Sequence, residues 1–205
     1  MSGSIDGAKA GISNIINAID TASGGNYRIG IVIYDEYNGV DGVTFNYASS
    51  TYYTDSIPDS QKFINQDTTS GHTQTFTCME KMDQVGNSTS AQAALNVLNH
   101  AGGNSSTGMA LGSGAGYPEP GGQCIYKIAQ DHFAGTWRAG VMRMIINITD
   151  DNPGGYDDSY GGADEAFFQN TIEPFFEAHQ ILYYHNTGNL TSQKALNDLQ
   201  TYKYL

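Results

Sequence analysis

Two short segments concentrate oxygen-donor side chains. Tyr117-Pro118-Glu119-Pro120-Gly121-Gly122 presents one carboxylate just ahead of a stretch with helical spacing, and Asp150-Asp151-Asn152-Pro153 presents two more at the end of a strongly strand-like run. Carboxylates gathered with hydroxyls suit a hard divalent cation, because Mg²⁺ takes oxygen ligands and usually keeps several waters. An ordinary structural role is equally open: Glu119 would favour the positive end of a helix, and Asp150-Asp151 would begin a turn.

Other chemistries fit less well. Gly112-Ser113-Gly114-Ala115-Gly116 looks superficially like a phosphate loop, but no Lys-Ser/Thr follows, and Tyr117 stands where a dinucleotide fingerprint has Gly. No Gly-x-Ser-x-Gly elbow or His-Glu-x-x-His motif occurs, and His72, His100, His132, His179 and His185 lack ligand spacing. Asp150-x-Asn152-x-Gly154 begins like an EF-hand loop, then fails at its fifth position and has Gly161 where the bidentate Glu belongs. Trp137, beside Arg138 and just before a core strand, reads as packing. The expectation is a protein that is not an enzyme.

The elements that would position these residues alternate along the chain. Ile5, Ala8, Ile12, Ile15, Ile16 and Ile19 stripe one face of a helix over 5–20, which Gly24-Gly25 stops. Tyr27–Tyr34 is a near-continuous apolar strand, and a second strand falls within Gln74–Met82. Between them, about residues 35–74 form a long insertion carrying Tyr37, Tyr47, Tyr52 and Tyr53, a stretch suited to contacts with another subunit or to a small core of its own. Helical spacing returns at 90–100 and 123–133, and Val141–Ile148 is the most strand-like run. A helix over 163–179 turns Phe167, Phe168, Ile172, Phe175 and Phe176 inward and must kink or restart at Pro174. A short strand at 181–184 and a helix at 192–205 complete the order. Alternating helices and apolar strands predict an α/β domain: a doubly wound, mainly parallel sheet with helices on both faces and the strands of 27–34 and 141–148 near its centre. Ligands of such sheets gather at the carboxyl ends of the strands.

Composition narrows the partners. The chain has 205 residues, enough for one domain with a sizeable core, and its 21 acidic against 9 basic side chains give a net charge of −12. That field repels phosphate backbones and anionic headgroups, so neither nucleic acid nor membrane is the expected partner. No run approaches the roughly 20 apolar residues that span a bilayer. Cys78 and Cys124 leave one disulfide or two buried thiols, both open from sequence. Asn-x-Ser/Thr triplets stand at Asn87, Asn104, Asn147 and Asn189, although Asn147 falls within a strand expected to be buried. The Gly-, Tyr- and Asn-rich, lysine-poor surface fits an extracellular, cell-surface or virion-surface setting.

Several segments in order carry a family resemblance. They are Ile5-Asp6-Gly7-Ala8-Lys9, Tyr27-Arg28-Ile29-Gly30-Ile31-Val32, Gly102-Gly103, Pro118-Glu119, Trp137-Arg138, and Arg143 with Ile145-Ile146-Asn147-Ile148-Thr149-Asp150-Asp151. Together they resemble the von Willebrand factor A domain, in the branch that includes the integrin β inserted domain, over most of the chain. The resemblance implies a single A-like domain over 1–205 with a metal-ion-dependent adhesion site. Glu119 matches the ligand of that branch's Pro-Glu pair, and Asp150 matches the strand-end aspartate. Asp151 is a weaker candidate, and Ser105, Ser106 and Thr107 occupy the region where other branches place a Thr ligand. The family's first strand with its Asp-x-Ser-x-Ser loop is missing before Met1, as are a strand and helix after Leu205, so the expectation is a domain incomplete at both ends. Mg²⁺, or Mn²⁺ or Ca²⁺, is expected in a complete parent protein and weakly or not at all in this chain. Two functions follow as expectations: cation-dependent adhesion to an acidic group of a protein ligand, or a structural assembly module of a fibre, appendage or virion, with contacts to a neighbouring subunit through 35–74.

Overall fold

The computed structural model describes residues 14–37, 62–66, 73–96, 98–99, 109–110, 120–149, 153–155 and 161–186. A helix over 14–23 (α1) buries Ile16 and runs into Gly24 and Gly25, whose φ values of 59° and 83° end it. Only glycine takes that backbone without cost, so the Gly-Gly stop read from the sequence is the helix terminus.

Three strands follow: β1 (Ile31–Tyr37), β2 (Lys62–Gln66) and β3 (Thr73–Glu80). They form an antiparallel sheet with β3 in the middle, Tyr34 opposite Phe76 and Phe76 opposite Phe63. The ladder begins four residues after Tyr27, where the expected strand starts, for a local reason. Ile29 is held by a side chain instead of a strand: its N–H donates to Asn87 Oδ1 at 2.8 Å, and Asn87 Nδ2 donates to its carbonyl at 2.7 Å. The Tyr27 carbonyl likewise accepts from Gly86 N–H at 2.8 Å. Asn87 is therefore buried and fully committed, which removes it, with the buried Asn147, from the list of usable glycan acceptors.

Helix α2 (Ser88–Asn96) buries Ala91 and Leu95 and ends before β4 (Leu98–Asn99), which pairs in parallel with β5 (Met109–Ala110). Helix α3 (Gly121–Gln130) precedes β6 (Arg143–Ile148). The amphipathic stretch expected over 163–179 is three pieces: α4 (Gly162–Phe167), one π-helical turn (Phe168–Ile172) and α5 (Glu173–His179). Pro174 sits in the first turn of α5, where its missing N–H costs least, and the wider turn before it absorbs the break. Burial raises the carboxyl of Glu173 at the head of α5. After His179, β7 (Ile181–Asn186) runs parallel to β6, with Ile145 opposite Tyr183 and Asn147 opposite His185.

The larger core packs α3, the π turn and α5 on one face of β6–β7, through Ile125, Ala129, Ile145, Phe168, Ile172, Phe176, Ile181 and Tyr183. Tyr126 locks it from the side, edge-on to Phe167 at 5.5 Å and to Phe175 at 5.7 Å. A smaller core joins Cys78, Met82 and Ala134. Ile128 and Trp137 pack against both cores, so α3 and the connection after it span the two sheets.

The chain is a mixed α/β protein with no closed sheet among the described residues. Among the described residues the ladders do not form the expected single, mainly parallel sheet: β1–β3–β2 is antiparallel, β6–β7 is a separate parallel pair, and β1 and β6 lie at the edges of these ladders. Helices on both faces were also expected, yet Ile146 and Tyr184, neighbours on the other face of β6–β7, are each 41% exposed. Most of the insertion at 35–74 and the expected helix at 192–205 lie outside the described residues.

Candidate functional site

The carboxyl end of β6–β7 is built on a polar floor inside an otherwise apolar core. Asn147 and His185, opposite each other in the parallel ladder, are both buried on the helix-covered face, as is Thr149 just beyond β6. Asn147 Oδ1 accepts from the Tyr34 hydroxyl at 2.8 Å. Its Nδ2 end therefore faces His185 Nδ1 at 3.2 Å and the Tyr183 hydroxyl at 3.3 Å, while that hydroxyl lies 3.0 Å from His185 Nδ1. His185 Nδ1 thus lies within hydrogen-bond distance of both the Asn147 amide nitrogen and the Tyr183 hydroxyl. Tyr34 belongs to β1, so this network ties the antiparallel sheet to the parallel pair through side chains.

Two loops meet above this floor. Gly122 N–H donates to the Gly154 carbonyl at 3.0 Å. A Cβ on Gly122 would stand 3.1 Å from the Pro153 carbonyl oxygen, and one on Gly121 would stand 3.1 Å from the Tyr34 hydroxyl and 3.4 Å from Pro153 Cα. Glycine at both positions is what lets the head of α3 close onto the 153–155 segment. Glu119 joins Gly121 through Pro120, and Asp151 joins Pro153 through Asn152, so the two carboxylate-bearing segments run into adjoining backbone.

Glu119, Asp150, Asp151, Ser105, Ser106 and Thr107 themselves lie outside the described residues. Among the described residues no group of three or more His, Cys, Asp or Glu side chains comes together to hold a metal. Cys78 and Cys124 are free, buried thiols. Burial pushes the Cys78 thiol from an ordinary 9.0 up to about 11, and burial, with the charge of Cys78 behind it, pushes Cys124 higher still. Both are protonated and poor nucleophiles at neutral pH.

Comparison with family models, with curated proteins and with solved structures finds no match. The chemistry of the chain is therefore read from its own residues. Among the described residues no helix is long and apolar enough to cross a membrane.

Sequence reasoning singled out the two loops but not the floor beneath them. The signal was present: Asn147 and His185 are polar residues inside apolar strands, one residue from the carboxyl end in each. A polar side chain there, in a segment otherwise suited to burial, marks a network or a site.

Proposed function

We propose that the chain is a von Willebrand factor A-like, non-enzymatic binding domain that holds a divalent cation at the carboxyl edge of its parallel strands and presents it to an acidic group of a protein partner. In this reading Glu119 is a direct ligand, and Asp150 binds directly or through water. Asp151 lies in the outer shell, and Ser105, Ser106 and Thr107 are subordinate alternatives. The observation that carries the reading is the junction of Gly121-Gly122 with Pro153-Gly154, because it brings the segment leaving Glu119 against the segment leaving Asp151. Carboxylates gathered without a cation would repel one another, which gives the site its affinity for Mg²⁺, Mn²⁺ or Ca²⁺. An open coordination position then accepts the partner's carboxylate, and chelators release it. The polar surface and the charge of −12 fit an extracellular, cell-surface or virion-surface setting without nucleic-acid or lipid partners.

The test is calorimetric titration of the three cations into the chain as it stands and into a version extended before Met1 by an apolar strand ending in Asp-x-Ser-x-Ser. The extended form is expected to bind Mg²⁺, with affinity at least tenfold lower in its Glu119→Ala and Asp150→Ala variants. The chain as it stands is expected to bind more weakly than the extended form. Equal affinity in the extended protein and both variants would contradict the reading.

A second reading has its own observation. Among the described residues β1 and β6 each lack a neighbouring strand on one side, and unpaired strand edges are templates for pairing with another chain. This supports a structural assembly module of a fibre, appendage or virion in which the metal site is degenerate. Sedimentation that shows ordered oligomers unaffected by chelator would favour it.

A further inference from the structure

At the opposite, amino-terminal end of β6–β7 lies a cleft of about 240 Å³ lined by His132, Trp137, Arg143, Phe175, His179 and Ile181, with Ala129 and Gln130 at its side. Its composition reverses that of the chain. The molecule carries 21 acidic and 9 basic side chains, yet among the described residues no carboxylate lines this cleft, whereas a guanidinium and two imidazoles do. The guanidinium is held in place. Arg143 Nη1 donates to the His179 carbonyl at 3.2 Å and Nη2 to the Arg138 carbonyl at 3.4 Å, which spends two of its five N–H donors and orients the rest. One wall is aromatic: the rings of Phe175 and His179 stack at 4.2 Å with 28° between their planes. Trp137, packed against both cores, closes the cleft on another side.

We propose that this cleft binds a small aromatic carboxylate, with its acid group on Arg143 and its ring against Phe175 and His179. A preset guanidinium fork matches one planar carboxylate. A metal ion is the wrong occupant for the two histidines, because the fixed positive charge of Arg143 opposes it and no third ligand is present among the lining residues. The volume lies below the ~300–1,000 Å³ typical of pockets for drug-sized ligands, which limits the occupant to a single ring. The site is independent of the cation reading, since it shares no residue with the Glu119 and Asp150 loops.

Trp137 is the single tryptophan of the chain, so its fluorescence reports directly on the cleft. Benzoate is expected to change the emission saturably, with a Kd on the order of 1 mM, the level suited to so small a ligand. N-acetylphenylalanine extends the test to the end of a partner peptide: binding comparable to benzoate assigns the site to chain termini, and weaker binding assigns it to free aromatic acids. Benzamide, equal in shape but uncharged, is expected to bind at least tenfold more weakly. Arg143→Lys keeps the charge without the fork and is expected to lose about tenfold toward benzoate. Because Arg143 also braces the backbone, the benzoate–benzamide comparison on the unaltered chain stands as the test that needs no variant. A linear, non-saturating response to benzoate, equal binding of benzamide, or equally tight competition by inorganic phosphate would overturn the proposal.

Discussion

Asn147 shows what a single polar residue does inside a β-rich core. Its Oδ1 accepts from Tyr34 and its Nδ2 faces Tyr183 and His185, so replacing it with Leu removes these bonds from the network at once. Each hydrogen bond contributes about 0.5–1.5 kcal/mol, and urea denaturation of Asn147→Leu is expected to show a loss of at least about 2 kcal/mol. Tyr34→Phe removes one neutral hydrogen bond and is expected to cost about 1 kcal/mol. The buried thiols make a second prediction at this scale. An unfolded Cys78 ionises near its ordinary 9.0, while burial holds the folded thiol protonated to about 11. A folded value above the unfolded one stabilises the fold fully below pH 9, and that contribution is lost as pH rises to about 11. Alkaline melts are expected to lose stability across that window, with a smaller loss in Cys78→Ser. At pH 8 iodoacetamide is expected to leave both cysteines unmodified until denaturant is added. Rapid labelling of the native chain would contradict the burial described.

At the scale of elements, legibility followed local signals. The Gly24-Gly25 stop, the strands around 31–37 and 143–148 and the inward set Phe168, Ile172 and Phe176 were all readable, because turn chemistry and apolar spacing act over a few residues. The ladder's late start at Ile31 was not readable, since it depends on Asn87, 58 positions away in sequence from Ile29. Nor was the antiparallel course of β1 and β3, because strand patterning within each segment does not give direction. The restart at Pro174 was expected, whereas the π turn that accommodates it was not. Gly122 is the element-scale counterpart of the site argument. Gly122→Val would drive branched carbons against the Pro153 carbonyl, 3.1 Å from the new Cβ alone, and separate α3 from the 153–155 segment. It is expected to destabilise the chain by about 1–3 kcal/mol and to weaken cation binding in the extended protein, measured by melting and by calorimetry side by side.

For the whole molecule, the two sheets are held together by α3, by Ile128 and Trp137 packing into both cores, and by Tyr34 reaching Asn147. Among the described residues the ladders stop short of one continuous sheet, with β1 paired to β3 and β6 to β7. The residues proposed for a cation site come from the sequence as residue types and positions, and the described junction next to them in the chain is that of Gly121-Gly122 with Pro153-Gly154. The most direct measurement is a crystal structure of the extended protein grown with Mn²⁺, with the ion located by its anomalous scattering. The expected result is one peak above the Gly121–Pro153 junction, with a Glu119 carboxylate oxygen about 2.0–2.6 Å away and Asp150 bound directly or through one water. Glu119 and Asp150 Cα atoms more than about 15 Å apart, beyond the reach of ligands sharing one ion, or a manganese peak elsewhere on the molecule, would contradict it.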